Sequence, residues 1–160
     1  MIRNVILGLS AATAAGLLFV NVYNSLIDAA NWSSALPDSV VAARQYFSVA
    51  NPGNFFRIFS PINQVLALIA VLLVWKQGER ARYMAIGSLV LAVAADVLTF
   101  GYFYPRNEIL FTGPLTNNME TLRQAAEQWT SMNWFRSVMC SVNTFLAFTI
   151  LVITSKKSAS

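Results

Sequence analysis

Four long apolar runs separated by polar stretches organise this chain, at about residues 5–28, 55–76, 83–104 and 132–154. Each is close to the roughly 20 residues a helix needs to cross a hydrocarbon core, so the pattern predicts an all-α membrane protein, a bundle of four transmembrane helices. The second run is the least regular. Phe55-Phe56-Arg57-Ile58-Phe59 leads into Pro61, and Ile62 to Trp75 is then apolar except for Asn63 and Gln64, so a kink or a helix start is expected at Pro61. Between the first two runs, Ser39 to Ala50 reads as a short amphipathic surface helix, capped by Asp38-Ser39 and stopped by Asn51-Pro52-Gly53. Between the last two, the turn Thr112-Gly113-Pro114 precedes a polar helix from about Asn117 to Trp129. The small-residue segment Ala11 to Gly16 resembles a signal-peptidase site, but apolar residues continue through Val20, which favours a retained anchor.

Composition agrees with lipid as the solvent. Of 160 residues, 56% are hydrophobic and 11% charged, against about 25% charged in a typical soluble domain. Four spans consume half the chain, leaving a single domain over residues 1–160. The net charge of +4 does not indicate nucleic acid, because the basic residues are scattered among apolar runs instead of lining one face. They act as topology signals. Arg3, the cluster Lys76, Arg80 and Arg82, and the pair Lys156 and Lys157 flank membrane ends on one side, whereas the charges on the other are mixed with Asp28, Asp38, Glu108, Glu120 and Glu127. Both termini are therefore expected in the cytoplasm, with a bacterial inner (plasma) membrane as the location.

Polar side chains inside the spans are the candidate chemistry, since they face protein or water when they occur at such depth. Asn21, Asn24 and Asp28 fall on one face of the first helix, and Asp96 lies past the middle of the third. Asn133, Arg136, Cys140 and Asn143 recur at three- and four-residue spacing on the fourth, with Arg57 and Asn63 near the start of the second. Asp96 is expected either to pair with Arg136 or Arg57, or to remain protonated. The asparagines are equally consistent with interhelical hydrogen bonds. Trp32, Trp75, Trp134, Tyr83 and Tyr104 fall near predicted span ends and read as an interfacial belt, whereas Tyr102 and Trp129 lie nearer the polar cluster. Asn31-Trp32-Ser33 matches a glycosylation triplet of little specificity. Cys140, the single cysteine, has no histidine in the chain to serve as its base. With no histidine and dispersed carboxylates, no metal site is expected.

Tyr104-Pro105-Arg106-Asn107-Glu108-Ile109-Leu110, followed by Trp129-Thr130-Ser131-Met132-Asn133-Trp134-Phe135-Arg136, resembles the P-x-N-x-x-L and W-x-x-x-N-x-x-R pattern of the anthrone oxygenase-like family. These are small tetraspan membrane proteins, first grouped as a domain of unknown function. The resemblance covers the layout of the whole chain and is specific over about 105–136, where it marks Pro105, Asn107, Leu110, Trp129, Asn133 and Arg136. It implies oxidation of polycyclic anthrones to anthraquinones without metal or flavin, hence no cofactor. Relatives often carry a histidine near the fourth-span motif and this chain has none, which leaves proton abstraction to Asp96 or a tyrosinate.

The leading expectation is a pocket within the membrane, opening outward, for a small apolar or aromatic molecule, with cofactor-independent oxygenase chemistry as the activity that the resemblance implies. Asp96 would be the base and Arg136 the anion stabiliser. Asn107, Trp129, Asn133, Tyr102, Asn24 and Asn143 would bind substrate. The alternatives are a non-catalytic accessory subunit held to a membrane-protein partner or to a second copy of itself, and a quinone- or lipid-binding protein. A transporter is disfavoured by the absence of an inverted repeat.

Overall fold

The computed structural model describes residues 1–115 and 118–156. Among them the chain is helical, with α1 at Ile2–Trp32, α3 at Pro52–Val74, α4 at Glu79–Thr112 and α5 at Met119–Lys156 all long and apolar enough to cross a membrane. A short helix, α2 at Asp38–Tyr46, lies between α1 and α3. The four long helices form a ring in which α1 and α4 each pack against both α3 and α5. One end holds the turn between α3 and α4, where Gly78 adopts φ 122°, a conformation glycine reaches without strain. The α1 start and the α5 end share that end, since the Arg3 guanidinium donates to the Thr154 carbonyl at 2.9 Å.

Sequence features explain where the helices begin and why they run on. Asn51 opens α3 with a reciprocal capping box, accepting from the backbone while Asn54 reaches back, so Asn51-Pro52-Gly53 starts α3 instead of stopping α2, which ends earlier, at Tyr46, and begins at Asp38 without the expected side-chain cap. Pro61 neither starts nor stops α3, which continues through it. The third and fourth runs extend well past their expected ends. At about 1.5 Å per residue, the 34 residues of α4 reach about 50 Å, beyond the roughly 30 Å of a hydrocarbon core. The polar helix expected before the fourth span is continuous with it, because no glycine or proline falls between Met119 and Lys156. Asn117, the expected start of that helix, and Lys157 lie outside the described residues.

The extensions of α1, α4 and α5 meet α2 in a small second core of Trp32, Val40, Phe103, Leu110, Leu122 and Trp129. This corrects the belt assignment of Trp32, which is only 3% exposed and meets Trp129 and Phe111 edge-to-face at 5.3 and 5.4 Å. Trp75, Trp134, Tyr83 and Tyr104 are exposed. Arg44 of α2 fastens this cap by donating to the carbonyls of Leu110, Gly113 and Ile109 at 2.8, 2.8 and 3.1 Å. Those are carbonyls at a helix end with no helical partner of their own. Arg44→Ala is expected to cost about 2 kcal/mol, as charged donors contribute, read as a lower midpoint of thermal unfolding in detergent. An unchanged midpoint would mean that water serves those carbonyls equally well.

Candidate functional site

The polar residues of α1 and α5 interlock. Asn21 Nδ2 donates to the Asn133 carbonyl at 3.2 Å and to Ser137 Oγ at 2.7 Å, and Asn133 Nδ2 donates back to the Asn21 carbonyl at 3.1 Å and to Ser25 Oγ at 2.6 Å. Arg136 sits over this lattice, buried, with Nε donating to Asn21 Oδ1 at 2.7 Å and Nη2 to Asn133 Oδ1 at 2.6 Å. Its Nη1 reaches across to Thr99 Oγ1 of α4 at 3.1 Å. The guanidinium carbon lies 4.1 Å from the Phe103 ring centroid and 5.2 Å from that of Phe56, so aromatic faces supply part of the solvation it loses.

Local helix irregularities aim these groups. Wider π-helical turns occur at Asn24–Asp28 in α1 and Thr99–Phe103 in α4. Both lie beside the polar lattice, with Ser25, Thr99 and Phe103 as the contacting residues. The π-turn also ends just before Pro105, whose ring nitrogen has no hydrogen to donate into the helix.

Asp96 belongs to a different group. Ser60 Oγ donates to its Oδ1 and Gln64 Nε2 to its Oδ2, both at 2.6 Å. Ser60 and Gln64 lie four residues apart on one face of α3, which supplies both carboxylate oxygens with donors. The expected pairing of Asp96 with Arg136 or Arg57 is therefore corrected: among the described residues the ion pairs lie elsewhere, at Arg82–Glu79, Arg123–Glu120 and Arg123–Glu127. A third group joins α4 to α5, with Ser88 Oγ donating to Asn143 Oδ1 at 2.5 Å.

All three groups border one narrow, partly open cavity of about 20 Å³, lined by Asn21, Asn63, Asp96, Arg136, Cys140 and Asn143 together with Phe56 and several small apolar residues. Of the residues singled out from the sequence, the structure thus brings Asp96, Arg136 and Asn143 to one space, with Asn133 bonded directly to Arg136. Asn24 is buried a turn away, and with its amide turned so that the nitrogen faces the neighbouring acceptors it donates to the Val20 carbonyl and Asp28 Oδ2.

Tyr102, Asn107 and Trp129 are placed in or beside the cap, outside the cavity lining. Trp129 Nε1 donates to Asn107 Oδ1 at 2.9 Å. The Arg106 guanidinium carbon stands 3.4 Å from the Tyr102 ring centroid, while its nitrogens hold Gln128 Oε1. Ser25, Ser60, Gln64 and Thr99 were not expected at the site. Serine and threonine in a helix can satisfy themselves on a preceding carbonyl, so their presence in a span carries no signal.

The sequence profile of the family described as anthrone oxygenase matches residues 54–146, more than half of the chain. The chain belongs to the anthrone oxygenase family. No curated protein and no solved structure matches it. The family match takes in α3, α4 and α5 as far as Leu146, hence Asn63, Asp96, Arg136 and Asn143, but leaves out Asn21 and Ser25 on α1. The anthrone oxygenase motif residues divide between two places. Asn107, Leu110 and Trp129 build the cap, whereas Asn133 and Arg136 bind α5 to α1 beside the cavity.

Proposed function

We propose that this membrane protein oxidises a small anthrone-like aromatic molecule with dioxygen, using Asp96 and Arg136. The observation that carries the reading is that a carboxylate and a buried guanidinium border the same cavity without pairing. Arg136 has five N–H hydrogens and uses three on protein acceptors, so two remain for a substrate oxygen. Asp96 accepts one hydrogen bond on each oxygen and keeps lone pairs free.

In the proposed reaction Asp96 takes a proton from the methylene carbon opposite the anthrone carbonyl, and the charge moves to the carbonyl oxygen, held by Arg136. The resulting electron-rich anion transfers its electrons to dioxygen. The carbon–oxygen bond then forms, and the proton on Asp96 completes a hydroperoxide. Loss of the second hydrogen from that carbon with cleavage of the O–O bond gives the quinone carbonyl and one water. One anthrone and one dioxygen are consumed for each quinone and water formed, and no external reductant enters.

A cavity of about 20 Å³ holds a water-sized object, so a ring system enters only if Phe56 swings away and its own ring takes that place against the guanidinium. Entry from the lipid suits an apolar substrate. Asn133 serves by orienting Arg136, Asn143 borders the reacting edge, and Tyr102, Asn107, Trp129 and Asn24 hold the surrounding helices. The basic residues at the end shared by Arg3, the α3–α4 turn and Lys156 favour cytoplasmic termini in a bacterial inner membrane.

The small cavity also favours a second reading, in which the polar lattice only locks the bundle and the protein is an accessory subunit. Purified protein in lipid nanodiscs separates the two. The oxygenase reading expects oxygen uptake matching anthrone consumption one to one, above the uncatalysed rate. Uptake no faster than that of protein-free nanodiscs rejects it and leaves the accessory role.

A further inference from the structure

The three hydrogen-bonded groups around the cavity are not joined to each other by direct hydrogen bonds among the described residues, and two amides facing the cavity are incompletely used. Asn63 is 3% exposed and lines the cavity, yet its side chain makes no hydrogen bond to the protein among the described residues. Asn143 is buried and accepts from Ser88 through Oδ1, while its Nδ2 has no acceptor there. Amide groups buried in an apolar span without partners are costly, and native structures satisfy nearly all of them with protein or ordered water.

We infer that this cavity is a binding site for one water molecule, held by Asn63 and Asn143 between Asp96 and Arg136. Volume sets the ligand's size. About 20 Å³ exceeds the roughly 10–15 Å³ that one water requires and, with Phe56 in place, suits a ligand of that size. Charge and polarity set its kind. The guanidinium disfavours a cation and the carboxylate an anion, whereas dioxygen, though small enough, offers the amides no useful hydrogen bond. Water donates twice and accepts twice, which matches a site holding amide donors, an amide oxygen, carboxylate lone pairs and spare guanidinium hydrogens.

Such a water occupies the space that the Asn21–Asn133–Arg136 lattice, the Ser60–Asp96–Gln64 group and the Ser88–Asn143 pair all border, on residues of all four long helices. It also stands against the Asp96 carboxylate, giving that group a proton-exchange partner inside the bundle. The inference is independent of the oxygenase reading and holds equally for a non-catalytic protein.

The test is rotating-frame magnetisation transfer from water to the side-chain NH2 groups of the full-length, ¹⁵N-labelled protein in nanodiscs, with assignments from Asn63→Leu and Asn143→Leu. Dipolar cross-peaks at both amides, with the Asn143 peak lost in Asn63→Leu, are the expected result. Dipolar peaks missing from both wild-type amides overturn the inference, as does an Asn143 peak undiminished in Asn63→Leu. Thermal unfolding gives a second measurement. A lower midpoint for Asn63→Leu, with the double variant falling little further than either single one, is expected of a shared water. A raised midpoint for Asn63→Leu means an unhydrated, merely unsatisfied amide and also overturns it. Where Asn63→Leu does not fold, the wild-type spectrum and Asn63→Ser decide.

Discussion

Asp96→Asn is expected to reduce turnover of an anthrone by about 10²–10⁴-fold, the usual contribution of a positioned general base, while the protein still folds. The substitution keeps shape and removes the charge and the basic lone pairs. Its amide oxygen can still accept from Ser60, which bonds Oδ1 at 2.6 Å. The other half of the side chain then presents an NH2 to Gln64 Nε2, which now lies 2.6 Å from Oδ2. Rotating the Gln64 amide by half a turn offers its oxygen instead and restores that bond. Folding is thus expected to lose at most about 1 kcal/mol, the net worth of one such hydrogen bond. Oxygen uptake and unfolding midpoint measured on the same preparation separate the roles. A large fall in kcat at a nearly constant midpoint supports the base. Full activity sinks the mechanism, and a large fall in midpoint shifts the weight to a structural lock.

The contrast between what the residue pattern revealed and what it concealed follows from the same side chains. Four spans were legible because apolar runs of this length have few other uses, and Asp96 and Arg136 were conspicuous because charge at that depth is expensive. The helix ends were not legible. Hydropathy marks where lipid stops, whereas a helix stops at a breaker, and none falls between Met119 and Lys156. Trp32 was misplaced for the same reason: α1 runs on past its apolar run into a cap that α2, α4 and α5 build around it. At the site, the pairing was the hidden part. No spacing in a sequence tells that α3 sends Ser60 and Gln64 to Asp96 while α1 sends Asn21 to Arg136, because adjacency around the ring is a tertiary fact. The anthrone oxygenase pattern marked Asn107 and Trp129 as readily as Asn133 and Arg136, yet the first pair bonds within the cap and the second borders the cavity lattice. A motif records that residues are kept together, not which task each performs.

Arg136→Ala is expected to destabilise the bundle most, by about 3 kcal/mol. Two opposing effects decide the sign. Removing a buried cation relieves its desolvation, and a buried charge replaced by an apolar group of similar size is often tolerated. Here, however, the guanidinium satisfies Asn21 Oδ1, Asn133 Oδ1 and Thr99 Oγ1 at once, so its loss strands acceptors on three helices. Hydrogen bonds in membrane bundles average about 0.6 kcal/mol and reach about 1.7, and stacking on Phe103 and Phe56 adds up to about 2 for a desolvated cation. Alanine also leaves a void where a long side chain packed, so the penalties outweigh the relief. Two further variants identify the cause. Arg136→Met restores volume without donors, and Arg136→Lys restores charge without the planar fork that reaches three acceptors together. If the hydrogen-bonded fork dominates, both stay well below wild type in unfolding midpoint. Recovery by methionine alone would assign the effect to packing, and recovery by lysine alone would assign it to charge, leaving the Asn21–Asn133 lattice able to hold α1 to α5 unaided.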